Sequence, residues 1–160
     1  MTLKELQKIL TSIAPADREA MDRAKKRQAE LAKPPGSLGK LEDMSIRLAG
    51  ITGQVRNQLE SCRILVFAAD NGVIAEGVSS SPESVTLSQA VNMTRHITGM
   101  SALARYFGNS VVVADVGINA EVRCPAILNR KIRRSTRNLA KEPALTRQEV
   151  LDAMGVGLEL

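Results

Sequence analysis

Apolar positions recur at helical spacing through the first third of the chain and then switch to continuous runs of strand length. Leu3, Leu6, Ile9, Leu10 and Ile13 fall on one face of a helix, and Thr2-Leu3-Lys4-Glu5 has the capping-box pattern at its start. Ala14-Pro15 ends that helix. A second, charge-rich helix is predicted over 17–32, with Ala20, Met21, Ala24 and Leu31 as its apolar positions. Lys33-Pro34-Pro35-Gly36 stops it, because tandem prolines cannot continue a helix. Ser37 is expected to cap a third helix that runs to about Gly50 and is closed by Gly50 or Gly53. A polar connection up to Cys62 follows.

The period then changes. Residues 64–69, ILVFAA, form an apolar run of strand length, as expected of a strand covered on both faces. A helix is predicted from Pro82 to Ile97, with Ser81 as N-cap, Pro82 in its first turn and Gly99 beyond its end. A short helix over 102–107, capped by Ser101 and closed by Gly108, leads to a second buried strand over 110–115. A short third strand is expected within 128–135. Thr146-Arg147-Gln148-Glu149 is another capping box, opening a last helix that carries Val150, Leu151, Met154 and Leu158. The pattern gives a helical segment over 1–60 followed by an α/β domain over 61–160, with a parallel sheet and flanking helices.

Composition narrows the classes. With 44% hydrophobic and 24% charged residues the chain is globular, and with one Tyr, two Phe and no Trp its core is aliphatic. No apolar run approaches the roughly 20 residues that cross a bilayer, and the N-terminus lacks the apolar segment of a signal peptide. Cys62 and Cys124 have neither zinc spacing nor a CxxC arrangement, so a reducing, cytoplasmic setting is expected. The net charge of +5 is concentrated locally, in Arg123, Arg130, Lys131, Arg133, Arg134 and Arg137. That patch serves a phosphorylated or nucleic-acid ligand, or else it is a solvated strand edge or a subunit contact. The scarcity of aromatic stacking platforms argues against single-stranded nucleic acid.

The candidate chemistry lies at strand ends. Asp70-Asn71-Gly72 and Asp115-Val116-Gly117 terminate the two core strands, where an open parallel sheet builds its ligand crevice. The aspartates either face a ligand or hold loop amides. Ser81 and Gln89, eight residues apart, share roughly one helix face and suit a neutral heterocycle. His96, the single histidine, is expected at a helix end as a surface residue. No GxGxxG, GxSxG or HExxH pattern is present, and no metal cluster is expected.

Four ordered segments carry a resemblance to a known family: LAKPPGSLGKLE (31–42), VFAADNGVIAEGVSSSP (66–82), VTLSQAVNMTRHITG (85–99) and VVVADVGINAE (111–121). With them the chain resembles the N-terminal half of the nicotinate-nucleotide–dimethylbenzimidazole phosphoribosyltransferases, enzymes of cobalamin nucleotide-loop assembly. The resemblance implies a Rossmann-like parallel sheet with a small helical domain, a homodimer, and no metal or redox cofactor. It implies transfer of phosphoribose from nicotinate mononucleotide to 5,6-dimethylbenzimidazole, giving α-ribazole 5′-phosphate and nicotinate. Ser81 and Gln89 match positions that line the benzimidazole pocket. Asp70 and Asn71 match a strand-end motif in which many relatives carry histidine at position 71. The family's general-base glutamate, a GEMG-like loop and a lysine are expected beyond Leu160. The chain is therefore expected to be a fragment lacking the catalytic base. A non-catalytic benzimidazole- or nucleotide-binding module is the alternative.

Overall fold

The computed structural model describes residues 1–58 and 61–160. The chain divides into two compact units, one formed by Lys8–Glu60 and the other by Met1–Gln7 with Ser61–Leu160. The first helix, α1 (Leu3–Ser12), opens on the predicted capping box, with the Glu5 amide donating to Thr2 Oγ1 at 3.2 Å and the Thr2 amide to Glu5 Oε2 at 2.7 Å.

In the helical unit, α2 (Arg18–Glu30) and α3 (Lys40–Thr52) pack through small residues. Ala20 and Ala49 are wholly buried, and a side chain added at Gly50 would lie 2.6 Å from Met21 Cγ, so only glycine admits this close approach. The expected cap by Ser37 is not formed. α3 begins three residues later, after turns in which Gly36 and Gly39 take φ of +76° and +54°. The Glu42 carboxylate folds back instead and accepts from Lys33 Nζ at 2.6 Å, the Leu38 amide at 3.1 Å and the Gly36 amide at 3.3 Å. These donors, Lys33 foremost, hold its carboxyl below the usual range. The Lys-Pro-Pro-Gly-Ser-Leu-Gly motif is thus a stapled turn.

The α/β unit holds a three-stranded parallel sheet flanked by helices, with β1 (Arg63–Ala69), β2 (Ser110–Gly117) and β3 (Ile127–Asn129) in that spatial order. The β1–β2 connection carries a 3-10 turn (Gly72–Glu76), α4 (Ser84–Thr94) and α5 (Gly99–Tyr106). Ala90 of α4, Val113 of β2, Ile127 of β3 and Ile118 form the core cluster. β1 is not covered on both faces. It sits at the sheet edge with Phe67 44% exposed, and the buried central strand is β2.

Helix starts differ from expectation where two candidate caps compete. α4 begins at Ser84, a few residues after Ser81 and Pro82, whose predicted roles as cap and first-turn residue are not taken. Ser81 is held outside the helix, because the Ser79 hydroxyl accepts from its amide at 3.2 Å and donates to its carbonyl at 2.9 Å. α5 is capped by Thr98, with Ser101 completing the box. Gly99 therefore opens α5 and Ser101 lies within it. The third strand is shorter than expected. Beyond Asn129 the chain still follows the end of β2, with the Ile132 amide donating to Val116 O at 3.1 Å and the Ser135 amide to Gly117 O at 2.9 Å. The last helix, α6 (Arg147–Glu159), starts from the Thr146–Glu149 box as predicted, but it buries Leu151 and Val156 and leaves Val150, Met154 and Leu158 exposed.

Candidate functional site

The crevice expected at the carboxyl end of the sheet is present beyond β1. It has a volume of about 470 Å³ and is walled by Val73, Ile74, Val78, Pro82, Val85 and Leu139. Asp70, Asn71, Ser79, Ser81, Glu83 and Thr86 contribute its polar groups. Three of the four sequence-predicted site residues, Asp70, Asn71 and Ser81, line it together. Gln89 does not. It lies on the exposed side of α4, one turn beyond Val85. The Ser81 hydroxyl makes no hydrogen bond among the described residues, so it is free to meet a ligand.

Asp70 holds a loop. It is 6% exposed, and its Oδ2 accepts from the Asn119 amide at 2.7 Å. Asn119 in turn donates from Nδ2 to Glu83 Oε2 at 2.9 Å. A second cleft of about 340 Å³ lies against the same wall, lined by Asp70, Glu83 and Asn119 with Ser84, Leu87 and Ile118. Neither Glu83 nor Asn119 stands in a pattern that sequence reasoning isolates, because their pairing joins the residue just before α4 to the loop after β2 across 36 residues.

The glycine after Asn71 answers to the protein rather than to a ligand. Its amide donates to Thr136 Oγ1 at 3.1 Å, and a Cβ at Gly72 would lie 2.5 Å from Thr136 O and 2.8 Å from the Arg137 carbonyl carbon. Asp115 likewise turns away from the crevice. It is 1% exposed. Its Oδ1 accepts from the Gly117 amide at 3.0 Å and the Ile118 amide at 2.8 Å, and its Oδ2 pairs with Lys131 Nζ at 2.8 Å. Lys131 also donates to the Ile118 and Ala120 carbonyls. His96 sits just beyond α4 with φ of +58° and its Nδ1 3.2 Å from Ser101 O.

The basic segment is largely neutralised from within. Arg123 pairs with Glu121 at 2.9 Å, Arg130 with Glu159 at 2.6 Å, and Arg137 and Arg133 with Glu149 at 2.8 and 3.4 Å. With Lys131 on Asp115, Arg134 is the cation of this group without an ion pair among the described residues. That leaves little free field for a polyanion.

Glu149 is also the acid of the α6 capping box, accepting from the Thr146 amide at 2.6 Å. Arg137 first, then that amide, lower its pKa from 4.5 to about 2. Its folded pKa lies below the unfolded one, so its contribution to stability is complete above about 4.5 and fades as the pH falls toward 2. Thermal unfolding of the wild type and of Glu149→Gln should therefore converge across that window. Parallel curves would show that Glu149 is not the titrating group.

Ser135 combines two costs. Its φ is +53°, in the left-handed region, and its buried hydroxyl finds no partner among the described residues. It lines an apolar cavity of about 80 Å³ with Arg133, Ile132 and Leu145. Strain of this kind costs about 1–3 kcal/mol, and glycine gives back up to about 1 kcal/mol in chain entropy. Ser135→Gly should therefore stabilise the protein by about 1 kcal/mol, read as a higher urea midpoint. A lower midpoint would mean the hydroxyl has a partner.

Comparison with known proteins matches this geometry to a family. The family model described as "Phosphoribosyltransferase" matches residues 13–160. The nicotinate-nucleotide–dimethylbenzimidazole phosphoribosyltransferase of Clostridium tetani is 40% identical over 158 residues, and that of Ruminiclostridium cellulolyticum 43% over 160. These alignments cover 99% and 100% of this chain but 44% and 45% of those relatives, so the chain spans somewhat under half their length. The crystal structure of the Thermus thermophilus enzyme of the same name superposes with a TM-score of 0.83 at 40% identity, over 89% of this chain and 44% of that one. The chain belongs to the nicotinate-nucleotide–dimethylbenzimidazole phosphoribosyltransferase family.

Proposed function

We propose that this chain forms the acceptor-base side of a phosphoribosyltransferase that joins 5,6-dimethylbenzimidazole to the phosphoribose of nicotinate mononucleotide. The observation that carries the reading is the crevice beyond β1. Its walls are aliphatic, and an uncommitted Ser81 hydroxyl and the Asn71 amide stand at its polar side. A flat apolar ring with ring nitrogens suits such a lining. In this reading Ser81 orients the base while Asp70 and Asn71 shape the strand end beneath it, and Gln89, outside the crevice wall, has no contact role assigned to it.

In the reaction a benzimidazole nitrogen attacks the anomeric carbon of the ribose, the bond to nicotinate breaks, and the N–H proton passes to a general base. No residue of this crevice is assigned that role. The homodimer and the cytoplasmic setting implied by the family belong to the same reading, and two free cysteines suit a reducing compartment.

The test follows nicotinate release by chromatography from nicotinate mononucleotide and dimethylbenzimidazole. The chain is assayed alone and together with the separately expressed C-terminal half of a relative. Turnover is expected only in the mixture. Turnover by the chain alone would place the base within these 160 residues. Binding of dimethylbenzimidazole without turnover in either case would favour the non-catalytic binding module.

A further inference from the structure

We propose that Asn71-Gly72 is a site of self-modification, at which the Asn71 carboxamide is lost as ammonia when the 136–138 segment lifts off Gly72. It is the single Asn-Gly pair in the chain. The inference is independent of the acceptor-base reading.

The chemistry needs water alone. The Gly72 nitrogen gives up its proton to solvent and attacks Asn71 Cγ. The bond from Cγ to the side-chain nitrogen breaks, and ammonia leaves with a proton taken back from solvent. The five-membered imide that results takes up one water and opens at either carbonyl, giving aspartate or isoaspartate at position 71. Asparagine is a thermolabile residue, and glycine, without a Cβ, leaves its own nitrogen open to this attack. Asn71 is exposed, and its side chain caps no amide of the 3-10 turn that follows.

Two features of the fold hold the reaction back. Ring closure requires Asn71 Cβ and the Gly72 nitrogen to eclipse about the Cα–C bond. The extended backbone of Asn71, with ψ of 123°, holds them roughly a third of a turn apart. The Gly72 nitrogen is also engaged, donating its hydrogen to Thr136 Oγ1 at 3.1 Å. Gly72 is packed so closely against Thr136 O, the Arg137 carbonyl carbon and Asn138 N that a Cβ would lie within 2.9 Å of each. Rotation at Asn71 therefore waits for that segment to move.

The products resist reclosure. Isoaspartate adds a methylene to the main chain immediately before Gly72, where the packing has no space for one. Aspartate adds a charge next to the buried Asp70, on a crevice wall that already carries Glu83. The folded chain thus keeps Asn71 intact, and each opening exposes it to a one-way change at the crevice.

The test ages the chain at mildly alkaline pH and follows position 71 by mass spectrometry of the tryptic peptide 64–95, with isoaspartate labelled by protein isoaspartyl methyltransferase. The samples are the folded wild type, the wild type unfolded in urea, Thr136→Val and Thr136→Ser. Conversion should be at least about tenfold slower in the folded wild type than in the unfolded chain. Loss of one neutral hydrogen bond should speed it in Thr136→Val by about threefold to tenfold. Thr136→Ser, which keeps the acceptor, should stay at the wild-type rate. Hydrogen exchange of the Gly72 amide should rise in step in Thr136→Val while exchange in β2 does not, which separates local opening from global unfolding. Equal rates in the folded and unfolded wild type would overturn the protection. Equal rates in Thr136→Val and the wild type would overturn the part given to Thr136, and a valine variant that exchanges as fast throughout β2 as at Gly72 would count against local opening.

Discussion

Replacing Asp115 with alanine is expected to cost about 3–5 kcal/mol, a large share of the roughly 5–15 kcal/mol that a domain has in total. The carboxylate meets three donors at once. It closes the loop after β2 through the Gly117 and Ile118 amides, and it neutralises Lys131. Alanine leaves both amides without their acceptor and Lys131 without its counter-ion in a place where its side chain is 20% exposed. Two carbonyls still receive the ammonium, but they carry no charge to match it. Asp115→Asn keeps an acceptor for the amides and removes the charge, so its loss should be intermediate. Urea denaturation of the three proteins gives the order directly. A loss below about 1 kcal/mol for Asp115→Ala would mean the pair breaks even against its own desolvation.

The second large effect is expected at Gly72. A methyl group there would fall within 2.9 Å of three backbone atoms, Thr136 O, the Arg137 carbonyl carbon and Asn138 N. Backbone cannot rotate aside as a flexible side chain does, so the segment 136–138 must shift as a body. That segment is tied down on both sides. The Thr136 amide donates to Asp70 O at 3.1 Å, and Asn138 Nδ2 donates to Glu76 Oε1 at 2.5 Å. Overpacking of this kind costs about 1–3 kcal/mol, and here the displacement would also carry Leu139, a wall of the crevice. Gly72→Ala should thus lower the unfolding midpoint and weaken ligand binding together. A variant that unfolds early yet binds normally would separate the two effects and contradict the coupling.

Much of this architecture is written in short-range pattern. The apolar runs ending at Asp70 and Asp115 mark the strands, and the crevice follows from where they end. The Thr146 box is legible because Thr and Glu sit three apart with no rival nearby. Caps become ambiguous where serines and threonines crowd. Thr98 and Ser101 each qualify, and only the extended backbone at Thr98 decides. At Ser37 and Ser81 the hydroxyl competes with a carboxylate or a neighbouring serine that the one-dimensional pattern does not weigh. The candidate site divides the same way. Asp70, Asn71 and Ser81 are close in sequence and share one crevice. Asn119 comes to the neighbouring cleft, beside Asp70 and Glu83, only through folding, and the basic run reads as free charge until Glu149 and Glu159 fold back onto it.

The position of β1 has a further consequence. Its seven residues find a pairing partner in β2 alone among the described residues, so its other side presents a row of amide and carbonyl groups in register for an incoming strand. Parallel sheets rarely leave such a row bare. A template of this length recruits whatever extended chain arrives first. Continuation of the same sheet would end the process, whereas the matching edge of another copy would seed ordered association that grows with concentration.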